Sequence, residues 1–271
     1  MIDRFGRTID YLRIAVTDRC NLRCVYCMPS DGIKLVRHED VLRLEEIVEV
    51  ARAAVDIGVI KIRLTGGEPL VRLGVESLVA QLAVIDGVAD LAMTTNGLLL
   101  PKYAPLLAAG GLHRVNVSLD AVDPHRYAAI TRGGDVREVL AGIEAARKAG
   151  LTPIKINCVL AHEGRDAEGM TPDARDVAAF AEREGLQVRF IEQMDLADGR
   201  FSVVHGGSGG DCRRCNRLRL TSDGQIRPCL FSDLGFSVRE LGAAEAIGRA
   251  IAQKPPAGST CSDRTIGMIG G

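Results

Sequence analysis

The sequence contains no tryptophan, only four tyrosines and only six phenylalanines in 271 residues. That is too few aromatics for the stacking platforms on which single-stranded nucleic acids lie. Neither sign of charge is in excess, with 34 Lys and Arg against 35 Asp and Glu. No basic arm marks either end, so nucleic acid is not an expected partner. No apolar run approaches the ~20 residues that span a bilayer, and no membrane association is expected. The opening Met1-Ile-Asp-Arg-Phe-Gly-Arg7 does not read as a signal peptide. What the chain does have is cysteine: eight, six of them in two tight groups. A secreted disulfide scaffold would be shorter and poorer in helix formers. Grouping of this kind favours metal binding in a reducing cytoplasm, the expected location.

Short apolar, β-branched runs occur at Leu12–Val16, Ile60–Leu64, Leu91–Thr94, Arg114–Leu119, Ile154–Leu160 and Gln187–Ile191. Amphipathic stretches alternate with them, among them Leu44–Ala54, Val136–Ala149 and Ala174–Arg183. Six such units predict an α/β fold with a parallel sheet and right-handed crossovers. An open doubly wound sheet and a partial barrel both satisfy the pattern. Either would gather ligands at the C-terminal ends of the strands. After Met194 the pattern changes. Asp195–Asp211 holds five glycines and little apolar content, and reads as a linker or loop. A hairpin is expected at Arg217–Thr221 and Gln225–Phe231 about Ser222-Asp223-Gly224, then a helix over Val238–Ala252. The predicted division is 1–195 barrel, 196–211 Gly-rich linker or shortened loop, and 212–271 auxiliary region.

The loop after the first strand carries Cys20-Asn-Leu-Arg-Cys24-Val-Tyr-Cys27. Three thiolates with no fourth Cys or His nearby suit a four-iron cluster that keeps one iron open; a zinc loop is the alternative. Spacing and Tyr26 together resemble the signature of the radical S-adenosylmethionine (SAM) superfamily. In that superfamily the open iron chelates SAM and its C–S bond is cleaved reductively. Leu64-Thr-Gly-Gly-Glu-Pro69 ends the second strand. Gly66 and Gly67 would let a ligand approach the backbone closely, and Glu68 offers a carboxylate to an ammonium, as at the superfamily's site for the methionine amino group.

The second group, Cys212, Cys215 and Cys229, has its third member returning on the far arm of the hairpin. Again three ligands favour a cluster over a closed zinc site. Arg217 and Arg219 alternate along the strand, so both leave one face. They make a seat for phosphate, or else a charged edge strand. Arg13, Arg63, Lys155 and Arg189 stand in or beside different strands, and four inward cations need an anion.

Several stretches, in order, resemble the MoaA family, the GTP 3′,8-cyclases that begin molybdenum-cofactor biosynthesis. They are Leu12-Arg-Ile-Ala-Val-Thr-Asp-Arg-Cys20, Lys61-Ile-Arg-Leu-Thr-Gly-Gly-Glu-Pro69, Thr94-Thr-Asn-Gly97, Asn116-Val-Ser-Leu-Asp120, Arg189-Phe-Ile-Glu-Gln-Met194, the second cysteine group and Gly270-Gly271. The resemblance implies an incomplete six-unit (β/α) TIM-type barrel with a C-terminal extension carrying an auxiliary cluster. It implies two [4Fe-4S] clusters, on Cys20, Cys24 and Cys27 and on Cys212, Cys215 and Cys229. SAM would be held by Tyr26, Gly67, Glu68, Ser118 and Met194. GTP would be held by Arg13, Arg63, Thr94, Lys155, Arg189, Arg217, Leu218 and Arg219, with guanine on the second cluster's open iron. Arg13, Arg217, Arg219, Gly270 and Gly271 would serve catalysis, and an electron donor is required. A homodimer is an open expectation.

One departure stands out: the family usually has a much longer stretch between Asp195 and Cys212. Its loss leaves two alternatives, a radical SAM enzyme acting on another substrate such as a peptide, and a shortened member with impaired GTP activity. Cys158 reads as a core residue and Cys261 as a bystander.

Overall fold

Apolar residues at every second position build six parallel strands: β1 (Tyr11–Ala15), β2 (Lys61–Thr65), β3 (Asp90–Thr95), β4 (Arg114–Ser118), β5 (Lys155–Leu160) and β6 (Gln187–Glu192). The structure, a computed structural model, describes residues 1–207, 209–262 and 269. The six strands pair in unbroken chain order. A doubly wound sheet requires a reversal of strand order. Unbroken succession instead gives the incomplete barrel, with its helices outside.

The helices are α1 (Leu44–Asp56), α2 (Val75–Ala83), α3 (Leu100–Ala109), α4 (Pro124–Thr131), α5 (Val136–Lys148) and α6 (Pro172–Arg183). Local chemistry sets their starts. Asp123, Asp135 and Thr171 each accept a backbone N–H of the first turn. Pro124 and Pro172 fill first positions where the missing N–H costs nothing.

The C-terminal region extends the same sheet. β7 (Arg217–Leu220) lies parallel to β1 on the side opposite β2, so it is no edge strand. β8 (Gln225–Arg227) and β9 (Phe236–Ser237) follow antiparallel. The second arm of the hairpin is shorter than expected, since Pro228 cannot donate to a ladder. The expected helix over 238–252 is two, α7 (Val238–Leu241) and α8 (Ala243–Ala252). They divide at Gly242, whose φ of 79° is left-handed.

One face of the sheet is apolar. Leu12, Ile14, Ile62, Leu64, Leu91, Met93, Val115, Val117, Ile156, Cys158, Leu218 and Leu220 are buried against the helices. Each such side chain contributes roughly 1.5–3 kcal/mol. The residues between them, which point into the barrel, are polar apart from Ala92. This alternation builds the site.

The glycine-rich segment packs closely instead of bridging open space. Phe190 of β6 and His205 exchange both backbone hydrogen bonds, at 3.1 and 3.0 Å, covering that edge of the sheet. A Cβ on Gly210, whose φ is 83°, would stand 1.9 Å from the Ser202 carbonyl.

Candidate active site

Register places two rows of inward side chains across β2, β1 and β7. Arg63, Arg13 and Arg219 form one row, and Lys61, Tyr11 and Arg217 the other. With Arg114 and Arg189 they line a cavity of about 380 Å³. Unit charges on neighbouring strands, ~5 Å apart, repel by about 3 kcal/mol at an effective dielectric of ~20.

Some of these cations are answered within the protein. Lys61 pairs with Asp10 at 2.9 Å, and Arg114 pairs with Asp90. Arg63 and Arg189 share one neutral partner. The Asn116 amide oxygen, oriented toward them, accepts from Arg63 at 3.0 Å and Arg189 at 3.1 Å. The Nε of each is buried with no hydrogen-bond partner among the described residues. Burial, reinforced by Arg219, Arg63 and Arg217 against the opposing pull of Tyr11, lowers Arg13 to about 9. Burial and then Arg217 lower Arg219 to about 10, against the pull of Cys229 and Cys215. The Tyr11 ring lies 5.6 Å from both the Arg63 and the Arg217 guanidinium carbons. Burial would raise its hydroxyl, but Arg13, Arg63 and Arg217 outweigh that and lower it. This wall suits a polyanion.

Beside Arg217 and Arg219 the same cavity has an apolar, sulfur-rich part. Cys212, Cys215 and Cys229 line it with Leu230 and Phe231. Phe201, from the short segment after β6, stacks on Phe231 with centroids 4.4 Å apart. Burial would raise the Cys215 thiol. Lys254, a backbone hydrogen bond from Arg217, and the Arg217 and Arg219 guanidiniums together hold it below its ordinary value.

A second cavity, about 160 Å³, is bordered by Cys20, Cys24, Cys27, Tyr26, Gly67 and Ser118. Burial, followed by Cys27 and Asp120, pushes Cys24 to about 12. Burial, followed by Cys20 and Asp120, does the same to Cys27. Three thiolates gathered here therefore require positive charge among them, which an iron–sulfur cluster bound through its irons supplies. Among the described residues no His, Cys, Asp or Glu trio closes around a single ion.

The glycines of the β2 turn are needed for a reason the sequence did not reveal. It is the cysteine loop that comes close. A Cβ on Gly66 would lie 2.3 Å from the Thr17 carbonyl, and one on Gly67 2.3 Å from the Arg19 carbonyl. Gly67 and Glu68 donate to those same carbonyls, each at 2.8 Å. Glu68 borders the three-cysteine cavity and also holds this turn. Its carboxylate accepts from Leu70 N, Thr95 Oγ1 and Asn96 N at 3.0, 2.7 and 2.7 Å. Burial prevails over these bonds and raises it to about 7. Tyr26 donates to Asp120 at 2.6 Å, and Asp120, lifted to about 6 by burial, also accepts from Val159 N at 2.7 Å.

Asn157, Ile191 and Met194 line both cavities, so the two spaces adjoin there. Of the other expected residues, Thr94 lies in the smaller cavity. Lys155 is on the inward face within electrostatic reach of Arg189, Arg114 and Arg63. Leu218 turns its side chain into the core, leaving only its backbone to face a ligand. Gly270 and Gly271 lie outside the described residues. Cys261 is buried and accepts from Arg227 at 3.6 Å. Tyr11, Lys61, Arg114, Asn116 and Asn157 escaped the sequence reading. Tyr11, Lys61, Asn116 and Asn157 are each two residues from a named one on the same strand and Arg114 is four from Ser118, so period-two spacing was the available signal.

The radical SAM superfamily model matches residues 14–168, and the barrel with its three-cysteine loop defines that class. Solved structures with the same fold include Streptococcus suis SuiB bound to S-adenosylmethionine, with a TM-score of 0.61 at 15% identity over 91% of this chain and 64% of that one. Another is anSMEcpe with bound AdoMet and a Kp18Cys peptide, with a TM-score of 0.60 at 17% identity over 91% and 81%. At these identities the likeness is one of fold. Sequence relatives are nearer. The GTP 3′,8-cyclase of Moorella thermoacetica is 42% identical over 94% of each chain, and that of Alkaliphilus oremlandii 36% identical over the whole of both. The chain belongs to the GTP 3′,8-cyclase family. The latter alignment runs over 325 positions, more than the 271 residues of this chain, so that relative carries residues with no counterpart here.

Proposed function

We propose that this chain is a radical SAM lyase that converts GTP to (8S)-3′,8-cyclo-7,8-dihydroguanosine 5′-triphosphate in molybdenum-cofactor biosynthesis. The adjoining cavities carry the reading: a three-cysteine hollow opens at Asn157, Ile191 and Met194 onto a cation-lined chamber. Cys20, Cys24 and Cys27 hold the first cluster, and Tyr26, Gly67, Ser118 and Met194 surround SAM. Glu68 acts beside them by fixing the turn that carries Gly67. A bound cluster and SAM would supply one-electron cleavage of the SAM C–S bond, releasing methionine and a 5′-deoxyadenosyl radical; hydrogen transfer from C3′ of the ribose would give 5′-deoxyadenosine, C3′ would bond to C8 of the base, and one further electron from the donor with one proton would complete the 7,8-dihydro product.

The chain's own residues orient the nucleotide for that step. Arg13, Arg63, Arg189, Arg217 and Arg219 engage the triphosphate, with Lys155 at the rim and Thr94 toward the ribose. The guanine lies at the apolar end beside Phe201 and Phe231, against a second cluster on Cys212, Cys215 and Cys229. The triphosphate brings negative charge to this row of like charges. Phe201, Ser202 and Val204 wall this chamber, so the shortened segment still encloses the substrate. The terminal Gly270-Gly271 assists turnover, electrons come from a separate donor, and the setting is a reducing cytoplasm. Among the described residues no helix is long and apolar enough to cross a membrane.

The test is anaerobic incubation with SAM, reductant and GTP. It should yield 5′-deoxyadenosine and a cyclised nucleotide in step. Deoxyadenosine formation that GTP does not stimulate would refute the cyclase reading. Reconstituted protein should hold about eight irons per chain, and the Cys229→Ala variant about four.

A further inference from the structure

Lys254 follows the last turn of α8 and is 1% exposed. Its Nζ donates to the Arg217 carbonyl at 2.7 Å and to the Pro228 carbonyl. The acceptors are not scattered. Arg217 comes two residues after Cys215, and Pro228 immediately precedes Cys229, so one nitrogen joins the two arms of the hairpin. The charged groups facing it are Cys215, Cys229 and Arg7, and burial itself disfavours the ammonium. A buried ammonium is costly unless an anion stands beside it, and a thiolate-bound cluster on Cys215 and Cys229 would supply that anion.

We propose that Lys254 is a positioning residue for the second iron–sulfur cluster, clamping the arms that carry Cys215 and Cys229 and holding positive charge beside the cluster, which would favour its more negative, reduced state. Hydrogen bonds to sulfur and nearby positive charge are among the factors that set a cluster's reduction potential. This rests on the two-cluster reading above, and the experiment separates the two.

Wild type, Lys254→Gln and Cys229→Ala proteins are reconstituted anaerobically and compared by iron content and by EPR-monitored redox titration. In Lys254→Gln the midpoint of the second cluster should move to more negative potential, with that of the first cluster unchanged. Lys254→Arg, which restores charge without the compact three-donor geometry, should fall between. A Lys254→Gln protein with about eight irons and both midpoints unshifted overturns the proposal. Should Lys254→Gln not fold, pulsed EPR of wild type labelled with ¹⁵N-lysine decides. A lysine nitrogen coupled to the reduced second cluster is expected, and its absence overturns the proposal. If Cys229→Ala leaves the iron content of wild type unchanged, the two-cluster reading itself falls, which is a different result from an unshifted midpoint.

Discussion

At the scale of single residues, the cation row shows function working against stability. Arg63 is 6% exposed and bonds to one neutral amide beside two other guanidiniums. A hydrogen bond to a charged group is worth about 1.5–3 kcal/mol. Arg63→Gln should therefore lower kcat/KM for GTP by roughly 10- to 100-fold. The same change relieves repulsion in the substrate-free protein, so its Tm should rise; a fall in Tm would mean the row is held by contacts other than substrate. The six clustered cysteines were legible in the sequence because their spacing is local. Tyr11, Asn116 and Asn157 were not, because what makes them site residues is a neighbour on another strand. Gly66 and Gly67 were legible as a tight spot, yet the atoms crowding them belong to residues 17–19, far away in sequence.

At the scale of elements, the limits of β1 to β7 read from the sequence fall within a residue of the observed ones, since alternation ends where the pleat ends, while β8 stops four residues early, before Pro228. The break between α7 and α8 was hidden in a continuous apolar pattern, and β9 has only two residues to announce it. Strand order could not be read at all, because periodicity is the same in a barrel and in an open sheet. One tie between elements gives a pH test. Arg239 of α7 donates to Glu46 of α1 at 2.9 and 3.0 Å. Its guanidinium, with the Arg43 backbone N–H, holds the Glu46 carboxyl at about 2, below the ordinary 4.5. A depressed acid contributes stability above its unfolded value and loses it as pH falls through the folded one. Glu46→Gln should cost about 0.5–1 kcal/mol at neutral pH. The difference in Tm from wild type should shrink below about 4.5 and vanish near about 2; a gap that persists in acid would assign the effect to packing.

At the scale of the whole molecule, the first residues tie to the second cysteine group and to the segment just after α8. Asp3 and Arg7 form an ion pair at 2.7 Å with side chains 0% and 6% exposed. Arg7 continues to the carbonyls of Cys212, Pro255 and Pro256 at 2.8, 2.7 and 3.2 Å. Asp3→Asn strands a buried guanidinium and should cost about 3–5 kcal/mol, read as a lower midpoint in urea unfolding. Iron content should fall with it, because the segment bearing Cys212 loses its anchor.

The junction where Asn157, Ile191 and Met194 face both chambers also governs fidelity. A reactive carbon made in one space and used in the next would have only this short junction to cross, so quenching should compete poorly with transfer. Each SAM cleaved should then account for one nucleotide altered. Trimming the partition with Met194→Ala should spoil that ratio before it spoils the rate of cleavage, producing deoxyadenosine with no matching product. The thickness of one methionine would then set how much cofactor the cell wastes.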